Sequence, residues 1–209
     1  MKEMEPTVFV VDDDESVRVA LNRLIRSMGM NVETFATGQE FLSRKRHDGP
    51  GCLVLDVRMP GLSGLDLLQE LEVAEILLPV VFITGHGTVP MSVRAMKAGA
   101  VDFLEKPFED QALLDSIRKA IERGSQDREK YDERKQIQMR SESLTPRERE
   151  IFAHVASGKL NKQIAFELGI SEKTVKIHRS RVMEKMEAES LADLVRMAER
   201  SPPRKNSPV

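Results

Sequence analysis

The chain has 209 residues, 40% of them hydrophobic, which suffices for one large or two small packed domains. A net charge of −2 and a pI of about 6.2 exclude a global basic field, so any affinity for nucleic acid must come from a local patch. One Tyr and no Trp leave little aromatic surface for stacking on bases, and no apolar run approaches the roughly 18 residues of a membrane span, so a cytoplasmic protein with no membrane partner is expected.

From Thr7 to about Gly124, short apolar runs alternate with helical patterns. Strands are predicted at 7–12, 31–35, 51–55, 79–84 and 101–105, and helices at about 15–28, 37–46, 64–72, 90–98 and 110–123. Leu21, Leu24, Ile25 and Met28 form one apolar stripe at helical spacing. Continuous runs such as Val80-Val81-Phe82-Ile83 suit strands buried on both faces, so the five strand–helix units imply an α/β domain around a parallel sheet. Cys52, the sole cysteine, lies inside such a run, where a small buried hydrophobe is expected and no internal disulfide can form.

Charge collects at the ends of these runs. Asp12-Asp13-Asp14 follow the first, Asp56 ends the third and Lys106-Pro107 follow the last. In one parallel sheet those ends share an edge, so carboxylates and an ammonium converge there, a setting for one divalent cation and one phosphoryl group. Asp56 is therefore a candidate for phosphorylation.

Between Gly124 and Ser143 the chain turns almost wholly polar; it is either an extension of the preceding helix or a flexible linker, and the domain boundary is placed there. The last residues, 201–209, are expected to be a disordered tail. Residues 144–199 read as four helices. Thr145-Pro146-Arg147-Glu148 is a capping box with Pro in the first turn, opening a helix that stops near Gly158. A second helix spans about 161–168, Gly169-Ile170-Ser171 makes a tight turn, Ser171 caps a third helix of about 172–187, and Ser190 begins a fourth. Helix, glycine-containing turn, helix is the helix-turn-helix arrangement. On the third helix Val175, His178, Val182 and Met186 fit the packed side, while Lys173, Lys176, Ile177, Ser180, Arg181 and Glu184 lie opposite. An apolar Ile beside Lys and a hydroxyl is unusual for a solvated face and natural in a major groove, where it meets the thymine methyl.

VVDDD, LDVRMPGLSG, ITGHG and EKPF, followed by LTPRERE and NKQIAFELGISEKTVKIHRSRVMEKM, resemble a two-component response regulator of the FixJ/NarL type. The resemblance covers nearly the whole chain. It implies a flavodoxin-like receiver over 1–123, a linker over 124–143 and an all-α, LuxR-type DNA-binding domain over 144–200. Asp56 would then be the phosphoacceptor, attacking the phosphorus of a phosphohistidine on a cognate sensor histidine kinase. Mg2+ would be bound directly by Asp13, mostly through water by Asp12, and by Asp56 and the Arg58 backbone carbonyl. Asp14 falls just beyond the matching pair and is read as a helix N-cap. Lys106 would pair with a phosphoryl oxygen, Pro107 resembles a cis-proline that aims it, and Thr84 and Phe103 would form the switch. Arg58 and His86 would flank the path of the water that ends the phosphorylated state. Lys173, Thr174, Lys176, Ile177, Arg179, Ser180 and Arg181 would contact promoter DNA. Dimerisation on phosphorylation, contact with RNA polymerase and activation of transcription complete the expectation, with no enzymatic activity of its own.

Other classes fit less well. A Mg2+-dependent phosphohydrolase with an Asp nucleophile usually carries a second carboxylate two residues on, where this chain has Arg58. A histidine-based metal enzyme lacks ligand spacing, since His47, His86, His154 and His178 are scattered. A receiver with an idle second domain would be phosphorylated without binding DNA, and no glycine-rich nucleotide loop points to an ATPase module.

Overall fold

The structure is a computed structural model that describes residues 5–45, 47, 49–85 and 87–200. The expected tail lies outside the described residues. The chain divides into two compact units, Met1–Arg128 and Glu129–Val209.

In the first unit the strands β1 (Thr7–Val11), β2 (Asn31–Phe35), β3 (Gly51–Asp56), β4 (Val80–Thr84) and β5 (Asp102–Glu105) form one parallel sheet in the order β2-β1-β3-β4-β5. Each lies within a residue of its predicted span, because unbroken apolar runs leave few other ways to bury both faces. The two-residue side-chain period sorts those runs into two cores. Phe9, Val11, Leu53, Leu55 and Phe82 face one side, with Phe41, Leu67 and Leu71. Val8, Val10, Cys52, Val54, Val81 and Ile83 face the other, with Leu21, Ile25, Leu113 and Ile117. Cys52 is buried in the second core, and burial pushes its thiol pKa up to about 12.

The intervening helices are α1 (Glu15–Ser27), α2 (Gly38–Leu42), α3 (Gly64–Val73) and α4 (Val89–Lys97). Asp14 caps α1, accepting from the Ser16 N–H at 2.8 Å. Helix α2 stops four residues short of its predicted end. The Arg44 guanidinium lies 3.7 Å above the Phe41 ring centroid and 4.7 Å above that of Phe9, and its Nη1 donates to the Phe41 carbonyl. A cation–π contact with two core rings outcompetes continuation of the helix, a tertiary effect that helical periodicity cannot register.

Helix α5 (Asp110–Glu142) is 33 residues long and passes through the polar stretch without a break, so of the two sequence readings the helical one describes it. Side-chain pairs one turn apart support it, such as Arg123 with Asp127 and Gln138 with Glu142. In the second unit its last turns join α6 (Pro146–Ala156), α7 (Asn161–Leu168), α8 (Glu172–Met186) and α9 (Leu191–Arg200). Ile137, Leu144, Ile151, Ile164, Val175, Val182, Met186 and Leu194 make the core. Thr145 and Glu148 close the capping box on α6. Gly169, at φ 63°, ends α7 in the left-handed region, where a side chain would be strained, and lets the chain turn sharply into α8. No helix among the described residues is long and apolar enough to cross a membrane.

Candidate functional site

The sheet order reverses direction around β1 and β3, and the crevice at their carboxyl ends is where a doubly wound sheet places its site. Asp12 follows β1, Asp56 ends β3, Thr84 ends β4 and Lys106 follows β5. The Lys106 ammonium bridges two carboxylates, with Nζ 2.6 Å from Asp12 Oδ2 and 2.9 Å from Asp56 Oδ1. The remaining oxygens are held by backbone: the Asp14 N–H donates to Asp12 Oδ1 at 2.9 Å and the Arg58 N–H to Asp56 Oδ2 at 2.6 Å. Asp12 and Asp56 are both buried, at 1% and 5% exposure, while Asp13 is exposed.

Burial pulls the Lys106 ammonium down, but its hydrogen bonds to Asp12 and Asp56 outweigh that, and its pKa lies above the ordinary lysine value. Burial moves the Asp56 carboxyl the other way, above the usual carboxylate range, against the stabilising hydrogen bond from Lys106. A desolvated carboxylate is a stronger nucleophile than a hydrated one, and the ammonium beside it keeps the anion tolerable.

Local backbone shapes the crevice. A Cβ on Gly64 would sit 2.3 Å from the Asp56 carbonyl oxygen, and the Gly64 N–H donates to the Val57 carbonyl, so the loop after β3 folds directly back on that strand. The Lys106 N–H donates to the Thr84 carbonyl at 2.7 Å, and Lys106-Pro107 is cis. Thr84 is buried at the strand end. Because Phe103 pairs with Phe82 and Glu105 with Thr84, Thr84 and the half-buried Phe103 share one face of the sheet, two residues apart in register. The Arg58 side chain is exposed and reaches the Met91 sulfur on α4. His86 lies outside the described residues.

Among the described residues no group of three or more His, Cys, Asp or Glu gathers around a point that could hold a metal ion. The donor set still suits Mg2+, which takes hard oxygens, needs only one or two carboxylates and keeps several waters. The carboxylates of Asp12, Asp13 and Asp56 and the Arg58 carbonyl are donors of that kind at this sheet edge.

In the second unit α8 has two faces. Val175, Val182 and Met186 are fully buried, whereas Lys173, Lys176, Ile177, Ser180 and Arg181 are exposed, Ile177 at 47%. Two of the seven residues expected to meet DNA are engaged within the fold. Thr174 pairs its hydroxyl with Ser171 at the helix cap, and Arg179 Nη1 donates to Asn161 Oδ1 on α7 at 2.8 Å. The first turn of α6 ties down both helices of the motif: Arg147 donates to the Leu168 carbonyl at the end of α7, and Glu148, buried, pairs with Lys185 of α8 at 2.7 Å. That hydrogen bond, with the one from the Thr145 N–H, holds the Glu148 carboxyl down at about pKa 2.

Several of these positioning residues escape a sequence reading. Arg18, which donates to the Asp12 and Asp13 carbonyls, looks like any exposed helical arginine. Its spacing of one helical turn from the Asp14 cap is the signal that could have found it. Asn161 with Arg179 carries no comparable local signature.

Residues 8–118 match the response regulator receiver domain, and residues 142–198 match bacterial regulatory proteins of the luxR family. Nodulation protein W of Bradyrhizobium diazoefficiens is 53% identical over 92% of this chain and 85% of its own. Among solved structures, the response regulator StyR is 50% identical, with a TM-score of 0.79 over 94% of this chain and 100% of the other. Full-length FixJ from B. japonicum is 44% identical, with a TM-score of 0.57 over 93% and 96%. With a receiver crevice at one sheet edge and a luxR-type helix-turn-helix in its second unit, the chain belongs to the two-component response regulators that control transcription, of the kind that includes FixJ and TodT.

Proposed function

We propose that Asp56 is the phosphoacceptor and that its phosphorylation by a cognate histidine kinase controls how α8 binds promoter DNA. The observation that carries this reading is the Lys106 ammonium, shared between Asp12 and Asp56 in a largely buried crevice. An Asp56 oxygen attacks the phosphorus of the donor, the phosphorus–nitrogen bond breaks, and the imidazole of the kinase leaves. Asp13, Asp56 and the Arg58 carbonyl would hold Mg2+, with Asp12 acting through water, and the ion would supply neutralising charge for the phosphoryl oxygens. Lys106 gives up its contact with Asp56 to a phosphoryl oxygen, and the Arg58 N–H remains in place to donate.

The new dianion draws the Thr84 hydroxyl inward, and Phe103, on the same face, follows into the space. Helix α4 carries exposed Val89, Val93 and Met96 at helical spacing, an apolar stripe suited to pairing two copies once its surroundings reorganise. Two copies present two α8 helices to paired half-sites. Lys176, Ile177 and Ser180 read base edges, Lys173 and Arg181 meet phosphates, and Thr174 and Arg179 act through the helix cap and Asn161. RNA polymerase is the further partner, and activation the outcome. Mapping DNA protection with and without acetyl phosphate tests domain, switch and target together. Protection that appears only with the phosphodonor, and is lost in Asp56→Asn, is expected; identical protection in both conditions overturns the reading.

A further inference from the structure

We propose that Arg140, in the last turns of α5 and ahead of the residues matched to the luxR family, is a positioning residue for the DNA-reading helix α8. The inference rests on the reading of α8 given above. The C-terminus of α8 is an awkward place. Its cap, Glu187, sits at φ 53°, one of two non-glycine residues with positive φ among those described, in a region that side chains rarely adopt. The Glu187 and Ala188 N–H groups satisfy the Glu184 and Met183 carbonyls. The Met186 carbonyl takes its donor from elsewhere: Arg140 Nη1 at 3.4 Å, while Nη2 of the same guanidinium bonds the Glu187 carboxylate. One side chain thus holds both the strained cap residue and the last helical carbonyl, at the end of a helix whose dipole favours a cation.

The tie is reinforced next door. Lys185 reaches back to the Ser143 carbonyl at 3.3 Å and to Glu148 at 2.7 Å, and Ile137, one turn before Arg140, is buried in the same core as Val182 and Met186. The far end of α8 is therefore braced by chain that precedes the helix-turn-helix proper. The reading end is braced separately, by the Ser171 cap and by Asn161. A rigid helix held at both ends points Lys176, Ile177 and Ser180 in one direction. Loosening one end lets them wander, and base contacts suffer before phosphate contacts do, since only the former demand fixed geometry.

The test uses the full-length phosphorylated protein and two duplexes of equal length, one selected from a random pool by the wild type and one scrambled, each titrated with salt. Arg140→Gln is expected to weaken the selected duplex roughly fivefold, leaving the scrambled duplex and the salt slope unchanged. Glu187→Gln, which keeps the carbonyl bond, is expected to shift the same ratio in the same direction by less, and the double variant to be no worse than Arg140→Gln. Equal loss on both duplexes overturns the proposal, whether from direct phosphate contact, with a slope lowered by about one, or from a smaller folded fraction. No change on either overturns it too. If Arg140→Gln does not fold, Glu187→Gln decides by the same ratio. Lys176→Ala separates the two claims: when it weakens the selected duplex alone and the Arg140 variant does not, only the positioning role falls, and when Lys176→Ala also affects both duplexes equally the reading of α8 itself fails.

Discussion

The acidic crevice and the exposed face of α8 are built in opposite ways. Lys106 meets Asp12 across 94 positions of sequence and Asp56 across 50, in a place largely closed to water. Lys176, Ile177 and Ser180 come from little more than one turn of a single helix and stand in solvent. In the crevice every charge must be answered by another, because desolvation leaves an unpaired carboxylate costly. On α8 the exposed Lys173 and Lys176 keep their hydration, so neither needs a partner within the fold. The first site is accordingly all-or-nothing in its chemistry, and the second is graded.

The sharpest way to break this contrast is Asp56→Asn. The amide oxygen can still accept from the Arg58 N–H, so the fold is expected to survive while phosphate uptake from acetyl phosphate is lost completely. Uptake at the wild-type rate would remove Asp56 from the proposed role.

Lys106→Met is expected to lower the stability of the first unit by about 3 kcal/mol at neutral pH, since it strands two buried carboxylates beside each other. In the wild type the raised lysine pKa means that its contribution is complete below about 10.5 and is lost only as pH rises through the higher folded value. In the variant, protonating Asp56 relieves the repulsion, so the deficit against wild type should shrink as pH falls from 7 towards 4. Denaturant unfolding at the two pH values checks this, and a deficit independent of pH would count against a charge origin.

Glu148→Gln tests the one place where the second unit behaves like the first. It is expected to cost about 1.5–3 kcal/mol, the range for hydrogen bonds to a charged group. Because the folded carboxyl is held at about 2, below its ordinary 4.5, its stabilisation is present above about pH 4.5 and is lost as pH falls through about 2. Acid titration followed by helical circular dichroism should show this loss in the wild type and not in the variant.

Most local are the changes on α8. Lys176→Ala or Ile177→Ala should cost roughly 1–3 kcal/mol on the specific site and little on random DNA. Lys173→Ala should weaken both alike and flatten the salt dependence by about one unit of slope. Equal losses on both DNAs for Lys176→Ala would mean that its side chain touches phosphate, and that the helix is turned differently in the groove.

How much of each region could be read beforehand follows the same division. The strands, the helix caps at Asp14, Thr145 and Ser171, and the turn at Gly169 are written in local chemistry and were legible. The convergence of Asp12, Asp56 and Lys106 followed once a parallel sheet was inferred, since strand ends of one sheet share an edge. What stayed hidden depends on a partner distant in the chain: the early stop of α2 over the rings of Phe9 and Phe41, the Arg179–Asn161 bond that takes an expected DNA contact into the fold, and the Glu148–Lys185 pair. The polar stretch after Gly124 left two readings open. Its composition excludes a core of its own but not a helix that lends Ile137 to another core.

Cys52 makes the first unit its own clock. As the chain's sole thiol, buried in the sheet and held protonated to about pKa 12, it is shielded twice over from an alkylating reagent, by exclusion and by the lack of thiolate. Labelling can therefore proceed only when the sheet opens, so its rate times the opening of that unit. Cysteines introduced at the surface, on α4 or on α8, would react against an almost silent background.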